Sequence, residues 1–188
     1  MHHHDDHDVK IFDGLTRHNA KPVSSFDVSD IERELEAARE SGKTDIARRL
    51  GRQLAMSLHE QKGLHRFGAD DCDESTVGIQ RKLLLAFCID NCIDQAGLGS
   101  VLEGIVINSF YENLSRLDPA LYNDIRQSGA LSFYFLAGRR GGDSERHIAN
   151  TFAMLCGYDG NHIFEEYGEA LYSKFTATVA AKIKNTGL

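Results

Sequence analysis

The chain has 188 residues, enough to bury one hydrophobic core without help from a metal or a disulfide. Its apolar fraction of 41% and charged fraction of 26% are those of an ordinary soluble globular protein and exclude a largely disordered chain. A formal net charge of −7 excludes general attraction to nucleic acid. No apolar run approaches the length of about 18 residues that a transmembrane helix needs, so we expect no membrane span.

The cysteines predict buried thiols in a reducing compartment. They are Cys72, Cys88, Cys92 and Cys156, with no C-x-x-C pair among them. Cys88 and Cys92 stand one helical turn apart, which is poor disulfide geometry and supplies only half of a zinc site. No signal peptide is recognised, so we expect a cytoplasmic protein with no cofactor and no metal.

The first 27 residues are rich in His, Asp and Ser and have no helical period, so a flexible N-terminal arm is expected over 1–27. Their histidines are typical of a trimmed expression tag or an unstructured native tail. The remainder, 28–188, is expected to be one all-helical domain.

A helical hairpin is predicted over 28–63. Its second helix carries an apolar stripe that recurs every four residues: Ile46, Leu50, Leu54 and Leu58. Ala47, Gly51 and Ala55 lie beside this stripe, and their small side chains would let a neighbouring helix approach closely.

The main bundle is expected over 75–188, and the stretch 76–96 predicts its central helix. One stripe of this helix begins with apolar residues: Ile79, Leu83 and Phe87. Asp90 and Asp94 continue the same stripe, so two carboxylates extend an apolar face.

Two arrangements of Asp90 and Asp94 are open. In the first, both face an internal polar pocket where Arg139, Arg140 or His147 supplies the countercharge, because a buried unpaired carboxylate is costly. The candidate pocket residues are then Asp90, Asp94 and His147. In the second, the helix turns its other side inward and leaves both acids in water.

Further helices follow the central one. Ser100 and Glu103 fit a capping box at the start of one, and Asp118 followed by proline begins a short one that Gly129 ends. The segment ALSFYFLAG fits a buried strand or a helix by pattern, but we expect a helix because a lone strand would lack hydrogen-bonding partners. The last helix has the longest apolar stripe: Phe164, Tyr167, Leu171, Phe175, Val179 and Ile183.

The sequence GRRGGDSERH is a second candidate site. Arg139 and Arg140 precede a glycine pair, and Asp143 or Ser144 would cap the next helix, so guanidinium groups and free amides could form an anion pocket. The candidate anion-binding residues are Arg139, Arg140 and Ser144. The alternative is an exposed loop whose arginines are simply solvated, and the nearby Asp143 and Glu145 weaken a phosphate site.

These patterns predict an all-α fold, a single irregular bundle of about seven helices, with a helical-hairpin solenoid as the structural alternative. No nucleophile-and-base set, metal signature or phosphate loop is complete. The first functional expectation is therefore a non-enzymatic protein–protein interaction domain, with a protein partner or a homo-oligomer formed through an apolar helix face. The alternative is a small-molecule or anion-binding bundle, with metal-assisted catalysis as one form of it. This bundle would use the acidic pair, Asp90 and Asp94, and the arginine loop over 138–147.

Overall fold

The computed structural model describes residues 28–61 and 73–188. Within these ranges the chain forms eight α-helices and no strand, which confirms the all-α, bundle-like prediction. The predicted arm over 1–27 lies outside the described residues, as do Cys72 and most of the predicted junction between hairpin and bundle. The helices are α1 (Val28–Glu40), α2 (Lys43–His59), α3 (Glu74–Gln95), α4 (Ser100–Leu117), α5 (Pro119–Gln127), α6 (Ala130–Gly138), α7 (Ser144–Leu155) and α8 (His162–Lys184).

Helix α3 lies at the centre of the bundle, as predicted. It packs against α2 and against every helix from α4 to α8. Every side chain over 83–89 is buried, so the middle of α3 is apolar on all sides, as expected for a helix enclosed by others. Ile79, the expected start of its apolar stripe, is 41% exposed, whereas Val77 and Arg81 on either side of it are buried, so the first turns of α3 bury a different face from the predicted one.

The most extensive helix contact joins α2 to α4, and it depends on a glycine. A Cβ atom at Gly51 would lie 2.5 Å from the carbonyl oxygen of Val106 and 2.8 Å from the amide nitrogen of Phe110. The Ser109 hydroxyl donates a hydrogen bond to the Arg48 carbonyl oxygen across the same contact at 2.8 Å. The small side chains predicted on α2 therefore do permit a close approach, and the helix that approaches is α4.

The remaining helices complete the bundle around α3. The segment ALSFYFLAG is helix α6, as expected, and the predicted apolar stripe of α8 is buried along its whole length. The Asp118 side chain accepts a hydrogen bond from the Leu121 amide at 3.1 Å and so caps α5. The same carboxylate accepts from Lys82 on α3 at 3.3 Å, which ties α5 to the central helix. Among the described residues, no helix combines the length and apolar composition needed to cross a membrane.

Candidate functional site

A cavity of about 330 Å³ opens between α3, α6, α7 and α8. We call it the α3–α6 cavity. Its apolar wall is formed by Phe87, Phe135 and Ile148. Its polar lining includes Asn91, Asp94, Gln95, Arg139, Ser144 and Tyr172.

The structure brings together half of the residues that the sequence singled out. Three of them line the α3–α6 cavity: Asp94, Arg139 and Ser144. The other three are not part of its lining: Asp90, Arg140 and His147. The acidic pair is thus divided between two environments, and the arginine loop contributes one guanidinium group rather than two.

Local capping interactions hold the arginine loop beside α3. Arg139 is the C-terminal cap residue of α6, and Ser144 is the first residue of α7. The Ser144 hydroxyl donates to the Gly138 carbonyl oxygen at 3.3 Å, which closes the loop. Asp143 is the N-cap, because its carboxylate accepts from the Arg146 amide at 3.1 Å. The Asp143 carboxylate therefore has a structural role at the start of α7.

The cavity carries opposite charges that do not neutralise each other. Asp94 and Arg139 are both exposed, and neither forms an ion pair with any described residue. Burial, and then the charge of Asp94, raise the pKa of the Glu103 carboxyl, which shows that this second acid lies near Asp94. The site therefore differs from the expected anion pocket, because an acidic side chain, Asp94, lines it as well as one arginine.

Aromatic rings form much of the cavity wall. Phe87 makes an edge-to-face contact with Phe135, with ring centroids 5.1 Å apart. It also lies nearly parallel to Tyr172, at 6.4 Å. Burial is the main cause that raises the pKa of Tyr172, and the charge of Glu145 adds to it. The hydroxyl of Tyr172 therefore stays protonated and can donate a hydrogen bond.

Asp90 lies apart from the cavity lining and faces α4. The Tyr111 hydroxyl donates to its Oδ2 atom at 2.6 Å, while its Oδ1 atom is buried without a hydrogen-bond partner. Burial raises the pKa of Asp90 to about 6, and the bond from Tyr111 acts in the opposite direction. This placement differs from both arrangements expected from the sequence, because Asp90 is partly buried against α4 and forms no ion pair with a described residue.

His147 and Arg140 are also placed away from the expected pocket. His147 is half-buried on α7, and its Nδ1 atom is buried without a hydrogen-bond partner. Arg140 is exposed just beyond α6 and forms no ion pair with a described residue. Neither residue supplies a countercharge to Asp90.

Several lining residues have no signal in the sequence. Asn91 and Gln95 lie near Asp94 on α3, and the sequence pattern does not distinguish them from other polar residues. Tyr172 follows a stripe residue of α8 and enters the site only because α8 packs on α3. Only the three-dimensional arrangement of α3, α6 and α8 identifies them.

The described residues give little support to metal binding or to a reactive thiol. Within 28–61 and 73–188, no three His, Cys, Asp or Glu side chains are grouped so that they could hold a metal ion. Cys88 and Cys92 are buried free thiols. Burial raises the pKa of Cys88 to about 12, so its reactive thiolate form is suppressed.

No protein-family model matches this chain, and no curated protein or solved structure matches it either. Function is therefore inferred from the contacts, burial and charges of the described residues.

Proposed function

We propose that this chain is a helical protein–protein interaction domain that self-associates through the outward face of α6. The observation that carries the proposal is a pair of large apolar side chains on that face. Phe133 is 49% exposed and Leu136 is 61% exposed, and they lie one helical turn apart. Tyr134 and Ala137 already bury the opposite face of α6 against the bundle, so Phe133 and Leu136 face outward. Neighbouring exposed apolar residues are typical of a binding surface.

A positive charge borders this apolar face. Arg140 follows Leu136 by four residues and is exposed, with no ion pair to any described residue. An arginine at the rim of an apolar patch favours a partner that carries acidic groups beside apolar ones.

Helix α1 has the complementary character. Its apolar stripe begins exposed, at Val28 (68%) and Ile31 (41%), and becomes buried at Ala38. Glu32 and Glu36 lie on the same helix, exposed and without an ion pair to any described residue. The start of α1 therefore offers apolar side chains with acidic neighbours, which suits the apolar and basic surface of α6.

The partner that fits is a second copy of this chain. Helix α1 packs on α2 and α4, whereas α6 packs on α3 and α7, so the two surfaces belong to different parts of one molecule. Two copies related by a two-fold axis could each place α1 on the α6 of the other, giving two identical contacts. Burying the exposed part of each apolar side chain would contribute about 1–1.5 kcal/mol. The entropic cost of association offsets much of this burial free energy. Two such contacts therefore predict a weak dimer with a dissociation constant of about micromolar to millimolar.

We also propose a cytoplasmic location. The support is that Cys88 and Cys92 are free thiols enclosed in the core, a state suited to a reducing compartment.

Sedimentation equilibrium over micromolar to millimolar concentrations tests the proposal. Wild-type protein should show a mass that rises with concentration from monomer towards dimer. Leu136→Glu should remain monomeric, because it places a charge within the apolar face. The matched control is Met56→Glu, which introduces the same charge at a side chain that is 44% exposed on α2. A wild-type mass that stays monomeric, or equal behaviour of the two variants, would refute self-association through α6.

A further inference from the structure

We infer that the α3–α6 cavity binds a small zwitterion, a molecule that carries one ammonium and one carboxylate group on an apolar body. The arrangement that points to this ligand is the placement of Asp94 and Arg139 in one cavity whose wall is aromatic. This inference does not depend on self-association, because Phe133, Leu136 and Arg140 do not line the cavity.

Both charges in the cavity are available to a ligand. Asp94 belongs to the C-terminal turn of α3 and Arg139 caps the end of α6, and neither forms an ion pair with a described residue. A guanidinium group can hold a carboxylate through two parallel hydrogen bonds, and a carboxylate accepts readily from an ammonium group. A ligand with a single charge would satisfy only one of these two side chains.

The surroundings of Asp94 suit the ammonium end of the ligand. Glu103 lies close enough to Asp94 for the two charges to interact, and Glu145 influences Tyr172 in the cavity wall. Neither glutamate lines the cavity, but both add to the negative charge of Asp94, the lining carboxylate that would accept from the ammonium group. The partly exposed ring of Tyr172 would add cation–π attraction for an ammonium group placed over it.

The size of the cavity limits the size of the ligand. A volume of about 330 Å³ is at the lower end of the range for small-molecule sites. It suits a ligand as large as one amino acid, with its apolar part against Phe135 and Ile148. The ligand class is therefore an apolar or aromatic amino acid, or a compound with the same pair of charged groups.

Isothermal titration calorimetry on the full chain tests this inference, with leucine and phenylalanine as the zwitterions. Isoamylamine and isocaproate are the matched analogues of leucine that keep only the ammonium or only the carboxylate group. We expect at least one zwitterion to bind, and its single-charge analogues to bind about tenfold more weakly or worse. Asp94→Asn and Arg139→Gln should each weaken zwitterion binding by about the same factor.

The control variant is Arg146→Gln, which removes an exposed arginine of α7 that does not line the cavity and should leave binding unchanged. Far-ultraviolet circular dichroism and thermal unfolding show whether each variant keeps the wild-type fold. No binding by either zwitterion, or zwitterion binding that Asp94→Asn and Arg139→Gln leave intact, would overturn the inference. Equal binding of isoamylamine and leucine would also overturn it. Phe133→Glu also places a charge within the apolar face of α6, but further from Arg139, so it should bind the zwitterion as wild type does, and failure of self-association and failure of ligand binding are distinguishable.

Discussion

Replacement of Asp90 by asparagine should change how the stability of the fold depends on pH. Asp90 is partly buried on α3, and it accepts one hydrogen bond from Tyr111 while its other carboxylate oxygen has no partner. Burial disfavours the ionised form and raises the pKa of the carboxyl to about 6. Asparagine has nearly the same shape and can still accept from Tyr111, but it carries no charge at any pH.

The sign and size of the effect follow from proton linkage. At pH values between the ordinary pKa of 3.8 and about 6, the folded chain holds a proton on Asp90 that the unfolded chain releases. The contribution of Asp90 to stability is therefore fully present below the ordinary pKa and is lost as the pH rises through about 6. Each tenfold change in proton affinity is worth about 1.4 kcal/mol, so the shift from 3.8 to about 6 corresponds to about 3 kcal/mol.

Chemical denaturation of wild type and Asp90→Asn from about pH 4 to about pH 8 measures this effect. The free energy of unfolding of the wild type should fall relative to that of the variant by about 2.5 kcal/mol across this range, because the unfolded carboxyl is still partly protonated at the lower end. Both proteins contain the same other titrating groups, so the difference between their unfolding free energies excludes the contributions of those groups. A difference that stays constant with pH would refute the reasoning, and so would a difference that grows in the opposite direction. Tyr111→Phe offers an internal check, because loss of its hydrogen bond should move the transition to higher pH.

Two further substitutions test the packing. Gly51→Ala should destabilise the fold by about 2–3 kcal/mol, because the new Cβ would meet backbone atoms of α4 at 2.5 and 2.8 Å. Gly78→Ala on α3 is the matched control; no atom lies within 4 Å of its added Cβ, and it should gain up to about 1 kcal/mol of helix propensity. Equal losses of unfolding free energy in these two variants would contradict the close α2–α4 approach. Tyr134→Phe should be at least as stable as wild type, since the Tyr134 hydroxyl is buried without a partner. A loss of more than about 1 kcal/mol would mean that this hydroxyl has a hydrogen-bond partner after all.

Much of the fold could be predicted because its signals are local. The apolar stripe of α8 and the Asp118 cap of α5 each depend on residues a few positions apart. The α6 assignment needed only the observation that a lone strand would have no partner. The small residues of α2 predicted a close helix contact without naming α4 as the helix that makes it.

The candidate site depended on contacts that local patterns do not contain. Asp90 and Asp94 share a helical stripe, yet α4 covers the first of them with Tyr111 while the second lines the cavity. Arg139 and Arg140 are neighbours in sequence, but only Arg139 faces that cavity. Spacing along one helix can group residues on a face, whereas the packing of the other helices decides what that face meets.

The most direct test of the proposed function is a mixing experiment with two charge-reversal variants. Arg140→Glu should repel the acidic α1 of another identical copy, and Glu32→Arg should repel the basic edge of α6, so each variant alone should be monomeric by sedimentation equilibrium. A mixed dimer would contain one wild-type pair of charges and one reversed pair, both attractive. We predict that an equimolar mixture regains the wild-type concentration-dependent mass. A mixture that stays monomeric at concentrations where wild type dimerises would contradict the pairing of α1 with α6.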